Sequence, residues 1–348
     1  MAVQYEFIPP GSVVQPKSCR VYLDVGNVDA PLVFDHHYPG SQAHSTTSLV
    51  VDDFSRFSAL ADDCTDVHLI THQNPDLDAI ASTWVVSAAM NKQPMDAVFL
   101  DNLATYVDAI DQGFTALSLP DCVPLYVLIG ACLDPKGNEQ PLATLSDAAK
   151  LHHGHAILSA LHEAGSHNFA SVPMTQAPDK EVWRAASKRL KVDRQLYRED
   201  LERAVVGTIR LPKIDSTDTQ ELIYVKVSMP QSQFFKSWAR GDPSLKPGPM
   251  LMIGLSPTRV IFSVPPGIGV HLKGLGDLLE LHETRDESDV GCSEEQATNR
   301  PGYNHSDPWY DGRGTAHNYT IIDSPRAGTR LSWQSLETIL DEYAAGLT

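Results

Sequence analysis

The sequence predicts an α/β protein: a mainly parallel sheet with flanking helices, followed by a smaller C-terminal α+β domain. Three observations lead there. Short apolar runs alternate with helical patterns through the first half of the chain. Several of these runs end in Asp or His, where strands of a parallel sheet deliver ligand-type residues. Beyond a long amphipathic helix the pattern changes to strand-like runs with one short helical stretch.

In chain order, CRVYLD (19–24), PLVFDHH (31–37), VHLITH (67–72), DAVFLD (96–101) and PLYVLIG (124–130) read as strands. The segments Thr47–Leu60, Asp78–Asn91, Leu103–Gln112 and Leu145–Glu163 read as helices. From Asp179 onward, Trp183, Ala186, Leu190, Tyr197, Leu201 and Ala204 recur at steps of three, four and seven, one face of a helix. Its other face, basic residues among acids from Lys180 to Arg203, reads as solvated. In the second half ELIYVKVSM (221–229), PMLMIGLS (249–256) and TRVIFSV (258–264) read as strands, and KGLGDLLELHE (273–283) as a short helix. The expected division is a catalytic domain over 1–178, a linker helix over 179–205 and an accessory domain over 206–348. From about Thr284 to Arg313 the chain is polar and reads as a long loop or flap.

A chain of 348 residues with 42% hydrophobic residues can bury a substantial core. Its net charge of −17 opposes attraction to long double-stranded nucleic acid and to anionic membranes. A small anionic substrate is compatible with that charge, because bound cations reverse the local sign. No apolar stretch approaches the roughly 20 residues that span a bilayer. The N-terminus lacks a basic segment leading into an apolar core, so no secretory signal is expected. The five cysteines are scattered without a CxxC pair, and reduced thiols in a cytoplasmic protein are expected. Oligomeric state is left open.

Chemistry concentrates in two clusters. The run THQNPDLDA places His72, Asp76 and Asp78 at a strand-to-helix turn, one imidazole with two carboxylates. Upstream, another apolar run ends in Asp35, His36 and His37. Nitrogen and oxygen donors together suit hard or borderline divalent cations. Taken singly, Asp24 also reads as a turn residue and Asp76 as a helix cap. The group Leu151-His152-His153-Gly154-His155 lies in a helical pattern without acidic neighbours and reads as structural.

Asp35-His36-His37, together with His72-Gln73-Asn74-Pro75-Asp76-Leu77-Asp78-Ala79, resembles the DHH phosphoesterase superfamily. The first carries that family's name motif and the second its HxxPDxDA-type motif. The resemblance covers roughly the first 115 residues, and the C-terminal half resembles the family's accessory domain loosely. In the usual family order HxxPDxDA comes first, so the order here is permuted. The resemblance implies hydrolysis of a phosphodiester in a nucleotide or short oligonucleotide. Phosphoanhydride hydrolysis, of pyrophosphate or polyphosphate, and a silent nucleotide-binding protein of the same fold are the alternatives. It implies two ions, manganese with magnesium as the alternative, which together activate water and stabilise developing charge. Asp24 would bridge them, His72 and Asp76 would hold one, and His36 and Asp78 the other. The remaining ligand falls on Asp101 or Asp108. Asp35 and His37 are the catalytic candidates, with His37 facing a substrate phosphate.

The segment 305–329 carries Arg313, His317 and Arg326 among glycines and aromatics. Arginine forks grip phosphate in two-point fashion, and Trp309 and Tyr310 are placed to stack on a base. These residues are the expected substrate clamp for a small phosphate-containing substrate, across a cleft from the metals.

Overall fold

The computed structural model describes residues 2–38, 41, 45–113, 122–133, 139–141, 145–177, 179–214, 216–285, 309–312, 319–325 and 328–346. The chain divides into two compact units, Met1–Gln112 with Ser118–Val192 and Gly113–Leu117 with Asp193–Thr348. The α/β class is observed: the first unit holds an all-parallel sheet flanked by helices, the second a mixed sheet.

In the first unit the strands are β1 (Ala2–Ile8), β2 (Arg20–Leu23), β3 (Val33–Phe34) and β4 (Asp66–His72), in the order β1-β4-β2-β3. Helices α1 (Thr46–Asp52) and α2 (Phe54–Asp63) precede β4, so the single helix expected over Thr47–Leu60 is broken at Asp53. Helix α3 (Leu77–Met90) follows β4 and is buried along almost its whole length. Its alanines and Val85 and Val86 suit such a site because they pack on every side.

Helix α4 (Ala97–Asp111) corrects the strand expected over 96–101. Asp96 caps it, accepting from Val98 N at 2.9 Å, so the apolar run that follows is the buried stripe of a helix. PLYVLIG is likewise mostly helix α5 (Leu125–Gly130), ahead of a two-stranded ribbon, β5 (Ala131–Leu133) and β6 (Glu139–Pro141). Both corrections share one cause: periodicity does not separate a short buried strand from a buried helical turn. Helix α6 (Asp147–Glu163) packs on α3 through Gly154, where an added Cβ would come within 2.4 Å of Ile80 Cγ2. His155 Nε2 meets Thr83 Oγ1 at 3.0 Å, so this part of the histidine run serves packing.

Cys19 and Cys64 form a disulfide, which corrects the expectation of reduced thiols for that pair. It ties the segment before β2 to the segment before β4, and these strands pair directly. Cys122 is a free thiol.

Helix α7 (Lys180–Arg203) crosses the boundary between the units. The second unit carries β7 (Val205–Pro212), β8 (Thr219–Ser228), β9 (Met250–Ser256), β10 (Arg259–Ser263) and β11 (Ile321–Asp323), in the order β11-β10-β9-β8-β7. Among the described residues it also carries helices α8 (Phe235–Gly241), α9 (Leu275–Arg285) and α10 (Trp333–Ala345). Its core gathers Phe262, Trp309, Leu336 and Leu340.

Candidate metal centre

Strand order builds the site. In β4-β2-β3 all strands are parallel, so their carboxyl ends share one edge of the sheet. His72 ends β4, Asp24 follows β2, and Asp35-His36-His37 follows β3. The middle strand therefore places Asp24 between the two histidine-bearing ends. Asp24 adopts φ 58°, a left-handed conformation that a non-glycine residue rarely takes.

The two oxygens of Asp24 face opposite ways. Oδ2 lies 3.2 Å from His72 Nε2, and Oδ1 lies 3.6 Å from His36 Nε2 and 3.5 Å from His37 Nδ1. His72 Nε2 is also 3.8 Å from Asp76 Oδ1. His36 Nε2 stands 3.7 Å from Asp78 Oδ2 and 3.5 Å from Asp111 Oδ2. Most of these separations exceed good hydrogen bonds. They match groups sharing an ion, since ligands about 2.0–2.6 Å from a metal lie ~3–4 Å from one another. Among the described residues three sets can hold a cation: Asp24, His36 and His37; Asp24, His72 and Asp76; and His36, Asp78 and Asp111.

Surrounding groups fix these side chains. Asp78 accepts from Thr46 N at 2.7 Å, Thr47 N at 2.8 Å and Thr47 Oγ1 at 2.6 Å, at the start of α1. Asp76 caps α3, accepting from Ala79 N at 3.2 Å. Asp35 is buried and accepts from Asn27 N at 2.6 Å and from His37 N at 2.9 Å. It lies outside the three sets, and its Oδ1 at 2.8 Å from His37 Nδ1 orients that ring.

The electrostatics describe a pocket that favours positive charge. Burial works against ionised Asp24, but the imidazoles of His36, His72 and His37 outweigh it and hold the carboxyl below its usual range. Burial also disfavours charged His36 and His72, yet the carboxylates around them win, lifting His36 to about 10 and His72 to about 11. Burial and the charges of Asp24 and Asp111 push Asp78 well above its ordinary value. Burial raises Asp111 to about 7, with Asp24 and Asp76 adding to it against His36. A buried concentration of carboxylates and imidazoles without a thiolate fits a hard or borderline divalent cation.

Asp24, His36, His72, Asp76 and Asp78 thus meet, with His37 beside them. Asp101 and Asp108 do not join them. Asp101 is exposed on α4, because its segment is helix and not a strand end. Asp108 accepts from Ser45 Oγ at 2.5 Å and Ser48 Oγ at 2.7 Å. Asp111 stands beside His36 and Asp78 instead, a residue that sequence reasoning missed. The signal was present: Asp108 and Asp111 are three residues apart on one helical face, and only the phase of α4 against the sheet selects between them.

Arg313, His317 and Arg326 lie outside the described residues, as does most of the 284–313 stretch. Trp309 is described and corrects the stacking expectation: it is fully buried, and its Nε1 donates to Glu283 at 3.1 Å. Tyr310 is partly buried and bridges Asp323 through its backbone. Among the described residues no helix is long and apolar enough to cross a membrane.

Comparison of the chain with family models, with curated proteins and with solved structures finds no match to any of them.

Proposed function

We propose that this chain is a metal-dependent hydrolase of phosphoester bonds, of the DHH phosphoesterase kind. One observation carries the reading: a buried carboxylate, Asp24, presents one oxygen to His72 and the other to His36. Further carboxylates stand by each imidazole, Asp76 by His72 and Asp78 with Asp111 by His36. A shared carboxylate flanked by two donor sets is what a pair of divalent cations requires. Manganese or magnesium suits these donors. When bound, such ions activate water and stabilise the charge of an in-line displacement.

The chain's own groups supply the rest. His37 is held by Asp35 at Nδ1, and although burial disfavours its charged form, Asp35 and Asp24 raise its pKa. It is the proposed donor, from Nε2, to the leaving oxygen. A nucleotide or short oligonucleotide phosphodiester is the first substrate class. Phosphoanhydride hydrolysis is the second reading, favoured by the burial of Trp309, which removes one expected base-stacking platform. Arg313, His317 and Arg326 remain the proposed clamp on substrate phosphate. A cytoplasmic setting stays part of the proposal, with the Cys19–Cys64 disulfide standing against it.

The test is a substrate screen on chelator-stripped protein, with and without manganese or magnesium. It would include cyclic dinucleotides, short oligonucleotides, mononucleotides, pyrophosphate and polyphosphate. Hydrolysis abolished by chelation and restored by manganese is expected. Hydrolysis indifferent to chelation would remove the metals from the reaction.

A further inference from the structure

We infer that Lys150 and Asp147 on α6 are positioning residues that set the metal affinity of the His72–Asp76 half of the centre. The inference rests on the metal-dependent reading above and adds how one half is held.

The turn from β4 to α3 must carry His72 and Asp76 to one point in four residues. It does so through Asn74, whose φ is 56°. Asparagine tolerates that left-handed state better than most side chains but does not hold itself there. Two residues one helical turn apart on α6 supply the grip. Asp147 Oδ1 accepts from Asn74 N at 3.0 Å. Lys150 Nζ donates to Asn74 Oδ1 at 2.8 Å and lies 3.8 Å from Asp147 Oδ1. Lys150 is only 4% exposed, a lysine committed to this contact and not to solvent.

The grip reaches the imidazole through the residue between. Gln73 N donates to Ile8 O at 2.8 Å, which pins the turn to β1. His72 Nδ1 lies 2.9 Å from Gln73 O. A carbonyl only accepts, so Nδ1 carries the proton and Nε2 is directed at Asp24 Oδ2, 3.2 Å away. Groups that orient a ligating histidine in this way commonly alter metal affinity by 10–100-fold when removed. The same turn ends in Asp76, so one clamp governs both donors. The other half takes its support from Thr46 and Thr47 on α1, a different helix from α6, so the two halves can be perturbed separately.

The experiment is calorimetric titration of the metal-free full chain with manganese chloride, in wild type, Lys150→Met and Asn74→Gly. The glycine variant keeps the left-handed backbone and the N–H to Asp147 while removing the carbonyl that Lys150 grips. Both variants are expected to weaken one of two binding events by roughly 10–100-fold and leave the other within about twofold. Adding His72→Ala to Lys150→Met should weaken that same event by less than the product of the two single effects. If Lys150→Met fails to fold, Asn74→Gly carries the test alone. Lowered thermal stability with both affinities intact, or both affinities weakened equally, would overturn the inference while leaving the hydrolase reading in place. A wild-type chain that binds no manganese would overturn both.

Discussion

The two halves around Asp24 are built differently. In the His36 half the side chains of His36 and Asp78 are 3% and 2% exposed, and backbone amides at the start of α1 grip Asp78. In the His72 half the Asp76 side chain is 60% exposed and doubles as the cap of α3. The buried half concentrates charge that the fold must neutralise, and its carboxyl groups respond with raised pKa values. In the His72 half Asp76 faces solvent, and the geometry depends instead on a clamped turn. One half is set by burial and the other by positioning, and substitutions should separate them.

The largest effect is expected where the halves meet. Asp24→Asn keeps a residue that tolerates φ 58° but removes the shared charge. Turnover on the screened substrate should fall by at least about 10³-fold, the scale seen when a preorganised charge-stabilising group is lost. Manganese binding should weaken in both halves. Retained turnover with an unchanged melting curve would break the idea of a shared carboxylate.

The disulfide should act on both halves alike. Cys19 and Cys64 are 45 residues apart in sequence and tie the amino ends of β2 and β4, away from the ligands at their carboxyl ends. Replacing both with Ser should cost roughly 2–4 kcal/mol in denaturant unfolding. Loss of one manganese site alone would contradict an even effect.

Next in size is a contrast between carboxylates. The folded Asp111 carboxyl titrates at about 7, above its ordinary 3.8, so the fold favours its neutral form. Its contribution to metal-free stability is present below about pH 4 and is lost as pH rises through about 7. Asp111→Asn should therefore stabilise the metal-free protein at pH 8 by roughly 1–3 kcal/mol and have much less effect at pH 4. Asp76→Asn, at an exposed site and still a helix cap, should stay within about 0.5 kcal/mol. Equal effects of the two would erase the distinction between burial and exposure.

The smallest signal is a proton count. His36 and His72 titrate at about 10 and about 11, above the ordinary 6.5, so both hold protons at pH 7 in the metal-free protein. Their stabilising contribution is complete below pH 6.5 and is lost as pH rises through those values. An ion displaces these protons, so manganese titrations at pH 7 should release protons, read as heats that vary with buffer ionisation enthalpy. Buffer-independent heats would mean that the histidines do not bind the ion.

The strand ends were legible because apolar runs stop abruptly at Asp24, at Asp35-His36-His37 and at His72. Parallel pairing then brings such ends together wherever they lie in the chain. Helix α4 was misread at its start, where Asp96 caps a run that also suits a strand, and with it Asp101 was offered as a ligand. Asp111 was hidden because a choice between neighbours on one helical face depends on how that helix packs. The support from Thr46, Thr47, Asp147 and Lys150 was not legible either, since each acts across 22 to 76 residues of sequence through one to three hydrogen bonds. Trp309 was misjudged for the opposite reason: an aromatic in a polar stretch reads as exposed, yet Glu280 and Glu283 draw it into the core.

In the proposed centre Asp24 is shared between two cation sites. Anomalous diffraction from crystals of the manganese-loaded protein tests it most directly. Two peaks are expected, one against Asp24 Oδ2 with His72 and Asp76, the other against Asp24 Oδ1 and His36, on the side of Asp78 and Asp111. A single peak, or two peaks neither of which touches Asp24, would contradict it.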